Sequence, residues 1–389
     1  MRVAFVLTQA SGGPAALTVA LASELSARAD GPDVAVFGPR VDKGGDGDGR
    51  NGAETPPPLG QGALMVEVAV RSKTDLAGAR RLRDRLRSWK PDIVHAQDRR
   101  AGLLAVTVAR TGVPVVSTYH GVPYSTPNRL LVEGGLTPVH LPGPRHSFKG
   151  QTTLVADGLV ARAADATVVP SAAMAGFLAK VVHVAPRRAR VIHNGVAFAA
   201  PSPRTNSGPS RVFITVGTVM AHKGTRDLLK AFAVAARRTD GLRLIVVGDG
   251  DDLAACRQLA SISGISDQVE FTGFRTDVRA QLARADAFVL PSLLENLPLA
   301  LLEAMGAGLA CVATDVGGVS EVLDETTGLV VGPGDAGALA AAMTRLAEEP
   351  GLADALRSRA AEVARTRFSI SVCTEAHRQL YEDLLTTPP

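Results

Sequence analysis

Short runs of β-branched residues, each followed by a longer helical pattern, repeat along this chain and then begin afresh. No other feature constrains the fold as strongly. "VAFVL" (3–7) precedes "PAALTVALASELSARA", and "DVAVFG" (33–38), "PDIVHA" (91–96) and "VPVVSTYHG" (113–121) follow. Runs that are apolar at every position are buried on both faces, as in parallel sheets covered by helices. After "AFAAPSPRTNSGPS" (197–210), which has the Pro/Ser content of a linker, "RVFITVG" opens a second series. That series contains "LRLIVVGDG" (242–250), "QVEFTGF" (268–274), "DAFVLPS" (286–292), "LACVATD" (309–315) and "TGLVVGP" (327–333). The expected architecture is α/β, with two Rossmann-like parallel-sheet domains, residues 1–200 and 201–368, facing across a cleft. Residues 369–389 form a helix expected to pack back toward the N-terminal domain. Ligands of open α/β sheets bind outside the carboxyl ends of the strands, so two such domains would enclose one.

The length of 389 residues suits two domains, each able to bury its own core. Hydrophobic residues at 46% and charged residues at 21% are a globular composition. A net charge of +4 gives no argument for a nucleic-acid partner. Cys256, Cys311 and Cys373 offer neither a disulfide framework nor zinc spacing, and fit a reducing cytoplasm. "MRVAFVLTQASGG" lacks the apolar length of a signal peptide, and no stretch reaches the ~20 apolar residues that span a bilayer. A soluble, cytoplasmic protein is expected.

In "GARRLRDRLRSWKPD" (78–92), Leu82, Leu86 and Trp89 form one apolar stripe among arginines. The pattern fits a helix resting weakly on a membrane surface. A solvated helix packing its stripe on the sheet is the commoner outcome. The acidic residues of the Gly/Pro-rich stretch 38–62 and of "GDGDD" (248–252) lack a calcium loop's closing glutamate, and the latter reads as a turn into a helix.

Each domain contributes groups suited to an anionic ligand. Gly12 and Gly13 separate the first strand from the first helix, where backbone N–H groups can approach an anion closely. Pro14 stands where the dinucleotide fingerprint needs glycine, so a nicotinamide reading loses its support. Lys223, in "VGTVMAHKGTRDLLKAF" (216–232), lies just before a helix and can meet a diphosphate as a point charge. A lone lysine in a turn is more often simply solvated.

"PSLLENLPLALLEAMGAG" (291–308) is the sharpest pattern, with a carboxylate at each end of a leucine run. A helix starting near Leu297 aims its free N–H groups into the cleft, ready for a diphosphate. Glu295, in the loop, can accept hydrogen bonds from sugar hydroxyls. Glu303, about two turns into the helix by rise, lies outside the anion site and suits a ribose diol. No Asp/His/Glu cluster has metal-ligand spacing.

These residues resemble the retaining nucleotide-sugar glycosyltransferases of family 4, which have the GT-B fold. "PSLLENLPLALLEAMGAGLACVATDVGGVSE" is similar to that family's E-x(7)-E signature. "KPDIVHAQ", "VPVVSTYHG", "ADATVVPS", "VIHNGV" and "VGTVMAHKG" resemble its other landmarks in the same order, over nearly the whole chain. The resemblance implies that Glu303 holds the nucleotide ribose and Glu295 the donor sugar. It implies that Lys223 and the Asn296–Leu297 backbone hold the diphosphate, while the Gly12–Gly13 loop closes over it. His120, a histidine that spacing alone would leave structural, would contact the sugar near the reacting centre. The family pattern departs in three places: Gly217–Thr218 stands for Gly-Arg, Asn296 for a common glycine, and Gln97 for a frequent second histidine. Arg275 is the candidate to replace the missing arginine.

The implied activity is metal-independent transfer, with retention, from a nucleotide-diphosphate sugar, UDP-linked, to an acceptor hydroxyl. The donor is a co-substrate, and no cofactor is implied. The acceptor, a small molecule, glycan or lipid-linked sugar, would meet the first domain at the loop 121–150, with Arg145, His146 and Lys149. Thr218 slightly favours a rival, a glycoside phosphorylase on the same fold. A non-catalytic carbohydrate- or lipid-binding relative is the other.

Overall fold

The computed structural model describes residues 1–40, 59–60, 62–72, 75–107, 111–123, 126, 128–136, 148–198 and 210–386. Most of the stretch 38–62 and of the linker 197–210, together with Arg145 and His146, lies outside them.

The first half begins β1 (Arg2–Val6), α1 (Gly13–Ser26), β2 (Asp33–Gly38), β3 (Ala63–Glu67), α2 (Leu76–Trp89), β4 (Ile93–Ala96) and α3 (Arg99–Val106). It continues β5 (Val115–Thr118), α4 (Asn128–Glu133), α5 (Phe148–Ala163), β6 (Ala166–Val169), α6 (Ala172–Lys180) and β7 (Ala189–Val191). The second half runs β8 (Val212–Val216), α7 (Thr225–Arg238), β9 (Arg243–Val247), α8 (Leu253–Ile262), β10 (Val269–Gly273) and α9 (Val278–Leu282). Then come β11 (Ala287–Leu290), α10 (Leu299–Gly306), β12 (Ala310–Thr314), β13 (Leu329–Val331), α11 (Ala336–Glu348), α12 (Pro350–Arg367) and α13 (Ile370–Thr386).

The strands form two sheets, ordered β3-β2-β1-β4-β5-β6-β7 and β10-β9-β8-β11-β12-β13. Every pairing between these strands is parallel. β3, β6 and β7 were not among the strands expected from the sequence; β3 and β7 are edge strands with mixed burial, whereas β6 is a buried strand inside the sheet. Each sheet order reverses once, between β1 and β4 and between β8 and β11, and ligands of open α/β sheets bind at such switch points.

α2 buries the stripe its sequence predicts. In α2, Leu82 and Leu86 are buried and Trp89 packs edge-on against Phe37, with ring centroids 5.8 Å apart. The arginines Arg80, Arg81, Arg85 and Arg87 are exposed. The apolar stripe is therefore core, and a membrane surface would meet only the arginine face. The turn at Gly248–Asp252 runs into α8, as its glycines suggest. No helix among the described residues is long and apolar enough to cross a membrane.

α13 follows the second domain in sequence and packs against α1 of the first. Ile370, Cys373, Leu380 and Tyr381 share a core with Leu17, Leu21 and Val36. The crossing is tight: Val196 N–H donates to the Phe368 carbonyl and Ile370 N–H to that of Val196, both at 2.9 Å. A Cβ at Gly195 would lie 2.5 Å from that of Cys373, so only glycine fits there.

Candidate functional site

The first domain supplies two loops. After β1 the chain reaches Gly12, which takes φ 93° as the N-cap of α1, with Pro14 in that helix's first turn. After β5 comes His120, whose Nε2 lies 3.2 Å from Gln97 Oε1. Gln97 is fully buried, and its amide nitrogen sits 3.2 and 3.4 Å from the two ring nitrogens of His95. His95 is held in turn by the Tyr381 hydroxyl at 2.6 Å and the Thr118 hydroxyl at 2.7 Å. A chain of buried polar groups thus links α13 to His120. Burial, the Arg99 guanidinium and His377 push the His120 imidazole down to about 4, so it is neutral at physiological pH.

Burial also depresses His377 to about 4 and His95 well below its ordinary value, and burial with Lys223 lowers His222 to about 4. The unfolded chain takes up these protons near pH 6.5 and the folded chain does not, so acidification favours unfolding. Stability should be level above pH 7 and fall between 6.5 and 4, with His377 alone contributing on the order of 3 kcal/mol. Melting temperatures measured across that range check this; a flat profile from pH 7 to 4.5 would contradict it.

The second domain contributes a close approach of two backbones. Gly224 takes φ 68°, and a Cβ there would lie 1.9 Å from the Pro291 carbonyl oxygen. That contact sets the turn Ala221–Lys223 against the loop after β11. Lys223 Nζ consequently pairs with Glu295 Oε1 at 2.6 Å, and the Ser292 hydroxyl donates to the same oxygen at 2.7 Å. Two residues expected to serve different parts of a ligand are thus joined. Arg275 forms a two-pronged pair with Asp277, at 2.7 and 2.8 Å.

α10 begins at Leu299 with Pro298 as N-cap, two residues later than expected. Glu303 therefore lies about one turn into the helix, not two.

A cavity of about 360 Å³ lies between the domains at both switch points. Gly12, Gly13 and His120 line it from the first domain. From the second come Gly217, Thr218, Lys223 and Arg275, then Glu295, Asn296 and Leu297. The expected site residues meet here, with one exception: half-buried Glu303 is outside this wall.

The cleft is bridged by residues the sequence reading did not single out. Glu321 accepts from the Ala172 and Ala173 amides at the start of α6, at 3.0 and 3.2 Å, and lies 2.9 Å from His193 Nε2. Asn194 Nδ2 donates to the Leu297 carbonyl at 2.8 Å, and Ser171 Oγ to Asn296 Oδ1 at 2.7 Å. All four lay inside stretches noted for other reasons ("ADATVVPS", "VIHNGV", "GGVSE"), but nothing in a linear sequence pairs them.

The arrangement of a neutral histidine, a lysine–carboxylate pair and a helix start around one cleft suits a polyanionic ligand carrying sugar hydroxyls. Comparison with known proteins gives the family. The family model described as Glycosyltransferase Family 4 matches residues 11–199, and that described as Glycosyl transferases group 1 matches 210–349. Glycogen synthase of Mycobacterium tuberculosis is 32% identical over 323 residues, which is 80% of this chain and 70% of that one. The lipopolysaccharide core biosynthesis glycosyltransferase LpsD of Rhizobium meliloti is 34% identical over 177 residues, 45% of this chain and 50% of that one.

Among solved structures, sucrose-phosphate synthase from Thermosynechococcus elongatus superimposes with a TM-score of 0.78 at 20% identity, covering 99% of both chains. Anabaena HepE in complex with UDP gives 0.73 at 18% identity, covering 98% of this chain and 100% of that one. With two facing parallel sheets of the GT-B kind and both halves matched by family models, the chain belongs to glycosyltransferase family 4.

Proposed function

We propose that this glycosyltransferase moves a sugar from a UDP-linked donor to an acceptor hydroxyl, with retention at the anomeric carbon and without a metal ion. Residues 201–368 take the nucleotide sugar, 1–200 the acceptor, and α13 returns to the first domain. The observation that carries this reading is the cavity wall itself. Lys223, the start of α10 and the Gly12–Gly13 turn, groups suited to a leaving diphosphate, surround one space with His120 opposite Glu295. Solved structures of HepE with UDP, with UDP and glucose, and with UDP-glucose lend support.

Catalysis in this reading is chiefly leaving-group stabilisation. Lys223, the Asn296 and Leu297 amides and the α10 dipole hold the charge that develops on the diphosphate, preorganised in a partly closed cleft. A phosphate oxygen of the donor takes the acceptor proton. His120, being neutral, contacts the sugar by hydrogen bonding and does not act as a cationic acid. Glu303 grips the ribose.

Donor turnover should be assayed across nucleotide sugars with and without EDTA. Hydrolysis or transfer with a UDP sugar, retained in EDTA, is expected, because cationic and dipolar groups occupy the place of a divalent ion. Among the described residues no group of three His, Cys, Asp or Glu is placed to hold a metal. Activity lost on chelation and restored by manganese would overturn the metal-free mechanism. Thermal stabilisation by inorganic phosphate but not by UDP would favour a phosphorylase.

A further inference from the structure

Asn296 is 9% exposed in the loop between β11 and α10, and its side-chain amide reaches across to the first domain. Nδ2 donates to the His120 backbone carbonyl at 2.9 Å, and Oδ1 accepts from Ser171 Oγ at 2.7 Å. Chemistry fixes this orientation. The His120 carbonyl can only accept, and the Ser171 hydroxyl, which accepts the Met174 N–H at 3.2 Å, has its own proton to give. The Asn296 backbone is held as well: its carbonyl accepts from Gly318 N–H at 2.6 Å, while the next carbonyl, Leu297's, receives Asn194. The preceding residue, Glu295, carries the Lys223 pair. One amide therefore ties the loop facing the leaving diphosphate to the backbone of the residue facing the sugar.

We propose that the Asn296 side chain is a positioning residue: it sets where His120 stands relative to the donor loop, and so aligns sugar and leaving group only when the cleft is closed. This inference rests on the glycosyl-transfer reading above. A glycine at this position would offer the same backbone N–H without the cross-cleft bond. The His120 ring is held separately by Gln97, so losing the amide displaces the histidine backbone without removing its ring. Misplacement by about 1 Å can cost ~100-fold in rate.

A double-mutant cycle tests it. Asn296→Ala should lower kcat for donor turnover on the order of tenfold, while UDP affinity by calorimetry stays within about threefold, since diphosphate contacts run through backbone and Lys223. Because Asn296 acts through His120, the Asn296→Ala/His120→Ala double variant should be no slower than His120→Ala alone. Losses that multiply, or an Asn296→Ala enzyme as fast as the wild type, would overturn the inference while leaving glycosyl transfer intact. A second readout needs no turnover. The His120 imidazole resonance, assigned by its disappearance in His120→Ala, should shift in substrate-free Asn296→Ala. A wild-type enzyme inert toward every nucleotide sugar would defeat the functional reading alone. The resonance then decides the inference, and an unchanged signal overturns it.

Discussion

Lys223→Ala is expected to lower kcat/KM for the nucleotide sugar at least tenfold and to lower the melting temperature with it. In the proposed reading the first effect is the loss of a charge-assisted hydrogen bond to the diphosphate, worth roughly 1.5–3 kcal/mol. The second follows from the ion pair. The Glu295 side chain is 9% exposed and would lose the cation 2.6 Å away. Removing one partner of a buried pair is costly because the remaining charge has no compensation. The two effects separate in Lys223→Ala/Glu295→Gln, where the neutral amide should recover stability but not kcat/KM. Thr218→Arg, which restores the family's usual cation on the cavity wall, should tighten donor binding. A silent Lys223→Ala beside a Thr218→Arg that abolishes donor binding would place the diphosphate elsewhere.

The two glutamates of the leucine run should fail in different ways. Glu303→Ala is expected to weaken UDP binding roughly tenfold with a smaller change in kcat, since the ribose contact proposed for it would be made in ground and transition states alike. Its place one turn into α10, outside the cavity wall, suits a contact at the nucleoside end and away from the reacting carbon. Glu295→Ala should mainly lower kcat. Its Oε1 orders Lys223 and Ser292 on the cavity wall, which the proposed reading makes the reacting end, so its loss should disorder that end. Calorimetry with UDP on both variants decides between them, and equal losses of affinity would end this division of roles.

The fold was legible at most strands where burial left a continuous apolar run, the exception being β6, whose short "ATVV" is buried throughout but was not read as a strand. β2 spans the expected residues, and β8 to β13 fall within two residues of expectation at most boundaries. β7, "ARV", with Val191 42% exposed, gives no such signal because an edge strand buries only part of each face. Lys223, Glu295 and His120 each follow a strand at the carboxyl edge of a sheet and line one cavity, but it was the family resemblance, not their spacing, that marked His120, and Glu303 lies outside that wall. The site's connections were not legible. Glu295 and Lys223 are 72 positions apart, and Asn296 and His120 176 apart; their pairing follows from sheet order and from the approach of Gly224 to Pro291, which periodicity does not encode.

The return of α13 to the first domain has a consequence for how the protein is made. A ribosome releases residues 2–191, and with them every strand of the first sheet, long before Ile370, Cys373 and Tyr381 emerge. Until then the groove beside α1 stays uncovered and His95 lacks one of the two hydroxyls that hold it. The second domain can complete its own sheet in the meantime, so the domain synthesised first is the one finished last. Released chains that end at residue 369, which keep α11 and α12 but lack α13, should therefore hold a protease-resistant second half and a labile first half, an order opposite to that of simple N-to-C domain folding.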